Sequence, residues 1–463
     1  MGLLIQRTMQ RLARLTLASA VVLPLVLSAP AQAQRGVPLV RDAEIEALVR
    51  DYTRPILKAA GLSRAGIDII LVNDQSFNAF VAGRRMFINV GALLQSETPN
   101  EIIGVIAHEA GHLAGGHQER LRDQIARAQT MQTVAMLLGL GASVAGAATN
   151  TRALAGAGGG IAMGGAEAAR RSLMSYQRAE ESAADISALA YLESTGQSAK
   201  GMLKTFQRFV SALSLSGTRV DPYSVSHPMP RERIANLTER AEKSRFYETT
   251  DPAALQLRHD MMRAKIAAFT GGQNATSRMF RNSANALPGQ YGDAISTYLY
   301  GNPATALKKV DALLKKQPQN AYFIELRGDV LMKANKAADA ADAYARAIKL
   351  DPSKSGLIQA SYGKALLAVG KQDSASRAVA ALRSGIERDP DNVDAYLPLS
   401  QAYGQMGQIG DAELAAAEGH FRSGDYLNAK IFAARAQQKL KKGSPAWVRA
   451  QDIINTKDPS KRR

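Results

Sequence analysis

Cysteine is absent from all 463 residues, so no disulfide can brace the chain and no lipidated cysteine can anchor it. Long hydrophobic runs are missing too. The apolar stretches Leu15 to Ser28 and Thr133 to Ala148 fall short of the roughly 20 residues that a spanning helix needs. Acidic residues are in deficit, 41 against 58 Lys and Arg, and the formal charge is +17. A basic surface of that size suits anionic lipid head groups or acidic partners. No nucleic-acid-binding motif accompanies it, so nucleic acid is not an expected partner.

The first apolar stretch has a recognisable frame. Arg7, Arg11 and Arg14 precede it, and Ala31-Gln32-Ala33 follows. A charged n-region, a short apolar core and an A-x-A site describe a secretory signal peptide, residues 1–33, cleaved after Ala33. Its loss removes 3 arginines and no acid, so +17 falls to 17 − 3 = +14.

The chemistry begins at His108-Glu109-Ala110-Gly111-His112-Leu113-Ala114-Gly115-Gly116-His117, which holds three of the six histidines. The first five residues read H-E-x-x-H. Two histidines four apart on a helix project from one face, one turn apart, where their imidazoles can hold one Zn²⁺. The adjacent Glu109 is placed to act on a water held there. The upstream run Glu101 to Ala107 is apolar enough to bury this helix. His117, nine residues from His108, falls about half a turn round an ideal helix and is not read as a ligand.

A catalytic zinc needs a third protein ligand. Arg178-Ala179-Glu180-Glu181-Ser182-Ala183-Ala184-Asp185 opens a second helix on which Glu181 and Asp185 lie one turn apart, bounded by small alanines. Glu181 can bind the metal while Asp185 accepts an N–H from a liganding imidazole. Between the two helices lie Thr133 to Ala148 and the Gly/Ala-rich Ala153 to Ala166. The expectation there is a mobile or membrane-apposed helical hairpin beside the site, not a true span.

Ahead of the metal helix, Ile67 to Val72 reads as a strand. Phe77 to Val81 and Met86 to Val90 flank the turn Ala82-Gly83-Arg84-Arg85 and read as a hairpin, either arm of which could be a sheet edge. Downstream, Ser226-His227-Pro228 puts an imidazole on a loop that the proline stops from continuing as helix. His259 and His420 have no supporting neighbours and read as helix-surface residues.

The second half changes character. Pro318 and Pro352 stand 34 residues apart, the tetratricopeptide period, and Pro390 follows after 38, which marks an insertion. Leu326, Gly328 and Leu331, then Ala340, Tyr344, Ala347 and Ile348, mark one unit; Leu397, Tyr403 and Gly404 repeat it, and Ala429, Ala433 and Ala436 end it. The expected organisation is a mostly helical α+β zincin-like domain with a small sheet, residues 34–245. A linker with a helix near 255–269 and a loop at Gly271 spans 246–290. An all-α tetratricopeptide solenoid covers 291–442 and a tail 443–463, disordered from Lys457.

His108-Glu109-x-x-His112, Glu181-x-x-Ala184-Asp185, Ser226-His227-Pro228-Met229-Pro230 with Arg233, and Asn78-Ala79-Phe80 occur together in one order. In this the region from Asp42 to Leu237 resembles the zinc metallopeptidases that include the CAAX-prenyl proteases and the heat-shock membrane protease. The resemblance implies His108, His112 and Glu181 as ligands of one Zn²⁺, Glu109 as general base and acid, and a substrate held as an added strand. It places His227 at the site, either stabilising the oxyanion or occupying the fourth metal position as an inhibitory latch. With repeats behind a signal peptide, the chain resembles the periplasmic, β-barrel assembly-enhancing branch. That implies an endopeptidase for quality control and assembly of outer-membrane β-barrel proteins, peripheral to the outer membrane, with the repeats docking substrates or assembly machinery. A non-proteolytic chaperone or scaffold and a processing peptidase with one dedicated substrate remain alternatives.

Overall fold

The computed structural model describes residues 38–148, 152–215, 223, 227–228 and 231–458; the stretch 1–33, read above as a signal peptide, lies outside them. Helix α1 (Ala43–Ala59) starts at Asp42, whose side chain accepts from the Ile45 N–H. Three strands follow, β1 (Asp68–Val72), β2 (Ala79–Ala82) and β3 (Arg85–Asn89). Their order is β1-β3-β2, with β3 parallel to β1 and antiparallel to β2. The expected hairpin is there, closed by Gly83-Arg84, and only its first arm is an edge: Met86 to Asn89 is flanked on both sides. Short α2 (Val90–Gln95) leads into α3 (Pro99–Gly115), which carries the H-E-x-x-H residues through the middle of the core.

Helix α3 is buried from Ile102 to His112 because its neighbours approach closely. A Cβ on Gly104 would meet the Met202 Cβ at 2.5 Å, and one on Gly111 would meet the Ala184 backbone oxygen at 2.8 Å. Glycine at these points lets α6 (Lys200–Leu215) and the helix bearing Glu181 lie against it. Gly116, at φ 63°, ends α3 with its N–H on the His112 and Leu113 carbonyls.

The intervening segment forms two packed helices, α4 (His117–Ala148) and α5 (Arg152–Ser194). Glu181 therefore stands inside a 43-residue helix, not at the opening of a new one. The Gly/Ala run stays helical because α4 packs on it: a Cβ on Gly165 would lie 2.1 Å from that of Ala135. Met136, Leu137, Leu138, Val144 and Met163 are exposed toward its far end. Among the described residues no helix is long and apolar enough to cross a membrane.

Helix α7 (Arg231–Ala241) closes the first domain, and α8 (Ala253–Met279) follows. The stretch read as a linker is not a loose connection. Met262 and Ile266 pack into the first core while Met261 and Ala268 pack into the next, and Gly271-Gly272 makes a kink within the helix instead of a loop. Buried Lys265 lies 2.7 Å from Asp42 and 3.2 Å from Glu44, and the Tyr291 hydroxyl donates to Glu44 at 2.8 Å. Ala43 packs among repeat residues, and Arg41 pairs with Asp389. The start of α1 thus docks on the repeats through charge pairs that satisfy one another.

His259 corrects the surface reading. It is fully buried, with Nδ1 2.9 Å from the Tyr52 hydroxyl and Nε2 2.8 Å from the Ser96 carbonyl. Burial depresses its pKa to about 4, against the bond to Ser96 that raises it. The folded state then resists a proton that the unfolded chain accepts near pH 6.5. Stability is complete above that value and falls as pH drops from about 6.5 to about 4, by on the order of 3 kcal/mol. His259→Gln, which cannot titrate, should flatten that stretch of the melting-temperature curve; an unaltered slope contradicts the assignment.

The repeats run as helix pairs, among them α11 (Ala321–Lys333) with α12 (Ala337–Leu350), and α13 (Gly356–Val369) with α14 (Gln372–Arg388), after α9 (Leu287–Tyr300) and α10 (Pro303–Lys316). Gly328 admits the Tyr344 ring, which a Cβ would meet at 2.6 Å. The off-period step arises mainly in α14, 17 residues where α12 has 14. After it, a 3₁₀ turn at Val393–Ala395 shifts the phase of α15 (Tyr396–Gln405), so Tyr396 and Leu399 are buried and Leu397 is exposed. Helices α16 (Ile409–Arg422) and α17 (Tyr426–Gln437) complete the pairs. The stretch read as a tail contains α18 (Pro445–Asn455), whose Ala450 and Ile453 join the terminal core.

Candidate metal centre

Helix α3 contributes His108, Glu109 and His112, α5 contributes Glu181 and Asp185, and the segment before α7 contributes His227. All six, drawn from three segments widely separated in sequence, are buried and meet in one place. His108 Nε2 lies 3.1 Å from His112 Nε2 and 3.3 Å from His227 Nδ1. Glu181 oxygens lie 3.4 Å from each of those Nε2 atoms and 3.0 Å from His227 Nδ1. The four residues offer donor atoms that all lie within 4.8 Å of one another. Around a tetrahedral ion with bonds near 2.0–2.1 Å, donor atoms sit roughly 3.3–3.4 Å apart, so these residues fit a divalent metal.

The electrostatics agree with that fit. Burial, aided by charge on His108, pushes the His112 pKa down to about 2, leaving a neutral imidazole with a free lone pair. Burial works against charge on His108, but Asp185 and Glu181 outweigh it and hold its pKa up to about 9. Burial alone would raise Glu181, yet its bonds from His108 and His227 hold it well below the usual carboxylate range. Glu109 is driven upward by burial, and neither of its carboxylate oxygens has a hydrogen-bond partner among the described residues. His227 Nε2 stands 3.5 Å from it.

Outer contacts orient the imidazoles. His108 Nδ1 lies 2.9 Å from Asp185 Oδ1, a charge contact in which the N–H is not aligned on the oxygen. Arg233 grips Asp185 through two nitrogens, donates to the Pro228 carbonyl at 2.9 Å and reaches Glu181 Oε2 at 3.0 Å. It ties the His227 segment to both carboxylates, a part that its place in the Ser226–Arg233 motif could have signalled. His117 is the other residue with an unread part. Its Nδ1 lies 2.9 Å from His112 Nδ1 and its Nε2 2.7 Å from Glu180, which also pairs with Arg120. The half-turn arithmetic fails because Gly116 breaks the helix and α4 starts afresh at His117. Ser226, Met229 and Pro230 lie outside the described residues.

The pattern of peptidase family M48 matches residues 40–241, and that of the tetratricopeptide repeat matches 301–355. A beta-barrel assembly-enhancing protease of Escherichia coli (strain K12) is 24% identical over 430 residues, covering 89% of this chain and 83% of that protein. One from Yersinia pestis is 23% identical over 424 residues, with the same shares, 89% and 83%. The crystal structure of MamA covers 35% of this chain and 90% of its own at 19% identity and a TM-score of 0.28. Residues 40–241 thus match peptidase family M48 and residues 301–355 the tetratricopeptide repeat, and the protein is a metallopeptidase whose peptidase region is followed by tetratricopeptide repeats.

Proposed function

We propose that this protein is a periplasmic zinc endopeptidase that acts on outer-membrane β-barrel proteins during their assembly and quality control. The observation that carries it is the convergence of four donor residues beside the orphaned carboxylate of Glu109. The names of the relatives, each a beta-barrel assembly-enhancing protease, support the substrate class. His108, His112 and Glu181 would hold one Zn²⁺, with Asp185 setting the tautomer of His108. Zinc in such a site acidifies water and polarises a carbonyl. Glu109 takes the proton from the attacking water and returns it to the leaving amine, a task suited to a carboxyl whose pKa burial has raised. His227 fills the fourth donor position and restrains the enzyme until substrate or assembly machinery, docked through the repeats, draws its segment away.

Purified protein should cleave an unfolded outer-membrane β-barrel protein and spare the folded barrel, and chelation should stop it. Glu181→Ala should lose metal severely after mild chelation, while Asp185→Ala loses roughly 10–100-fold in affinity. Equal metal occupancy in wild type and Glu181→Ala, read by elemental analysis, would remove Glu181 from the ligand set. A protein that holds unfolded barrels soluble without ever cutting them would instead be a chaperone.

A further inference from the structure

The outer edge of β2 is partly filled by the chain itself. Ladder bonds on an antiparallel pair alternate along the strand. The Asn89 N–H donates to the Asn78 carbonyl, and the register sets Phe80 against Phe87 and Ala82 against Arg85. Those residues of β2 turn their polar groups toward β3, so the Val81 carbonyl and the Gly83 N–H face outward. The half-buried Gln118 side chain meets both: its Nε2 donates to the Val81 carbonyl, and its Oε1 accepts from the Gly83 N–H at 3.1 Å. A carbonyl and an N–H two residues apart on one edge are the pair that an added strand engages. The Gln118 carboxamide satisfies them as a peptide group would.

Its position links that edge to the metal centre. Gln118 is the second residue of α4, directly after His117, whose ring contacts His112. We infer that Gln118 is a built-in competitor for extended substrate, holding the turn end of the edge strand until a peptide displaces it. It sets how far along β2 a substrate can pair, and so which stretches of an unfolded chain reach the site. The inference rests on the endopeptidase reading above.

Full-length, metal-loaded protein is assayed with an unfolded outer-membrane β-barrel protein and with a fluorescent extended peptide derived from it. Gln118→Ala should lower KM about tenfold, the weight of one ordinary hydrogen bond, with kcat within about twofold. Gln118→Glu, which keeps length and acceptor but loses the donor, should lower KM in the same direction. In a Glu109→Gln background, anisotropy should show the peptide binding correspondingly tighter to the Ala variant. Unchanged or raised KM in Gln118→Ala with an unaltered melting temperature overturns the inference while leaving the endopeptidase standing. A fall in kcat together with melting temperature shows a merely structural contact and overturns it as well. Wild type that neither binds nor cuts the peptide or the unfolded barrel overturns both readings.

Discussion

Glu109→Gln should retain metal and fold while its cleavage of unfolded protein falls by roughly 10²–10⁴, the usual contribution of a positioned general acid–base group. Gln preserves the length and planarity of the side chain but cannot carry the proton from water to the leaving amine. The fold should not suffer. Glu109 is fully buried with no hydrogen-bond partner for either oxygen among the described residues, so its burial is a cost to the folded state. A neutral amide there should leave the melting temperature equal or higher. Turnover, melting and metal content measured on one preparation separate the outcomes. Wild-type turnover in this variant refutes the assigned mechanism, and loss of metal refutes the claim that Glu109 stands outside the ligand set. The intact but inactive variant is also the reagent for capturing natural substrates in cells.

His227→Ala should raise proteolysis, self-cleavage included. The imidazole places Nδ1 among the donor atoms, 3.3 Å from His108 Nε2 and 3.0 Å from Glu181, while its Nε2 faces Glu109. A fourth protein donor in a tetrahedral site turns an open centre into a closed one. Removing it should raise turnover about tenfold, the gain expected when a state populated at about a tenth becomes the only one. The competing role is tested by the same variant. An imidazole that stabilises the oxyanion would, once removed, lower the rate by roughly 10²–10³. Turnover of one unfolded barrel protein by wild type and variant therefore separates the two, and a fall removes the latch. Arg233, held by Asp185 and by the Pro228 carbonyl, also ties the His227 segment to the helix that carries Glu181. Movement of that segment would be felt at both carboxylates.

What the sequence determined by itself is local or repetitive. The H-E-x-x-H spacing places His108, Glu109 and His112 on one helix turn whatever surrounds them. The interval between Pro318 and Pro352 dictates stacked helix pairs, since each unit can bury its apolar face only on the next. The hairpin followed from its turn and flanking strands. Other facts existed only in three dimensions. Helical phase cannot be carried through a left-handed glycine, so His117 was lost to arithmetic and regained by packing at Gly116. The helical hairpin between the two site helices was expected, but packing alone showed that its second helix runs on past Glu181, so that Glu181 lies inside it and not at the opening of a new one. His259 looked like a surface residue because Tyr52 and Ser96, which satisfy it, are remote in sequence. Gln118 on the edge of β2 belongs with these. Which polar groups a strand leaves facing outward is decided by register, and which side chain reaches them is decided by where the next helix starts.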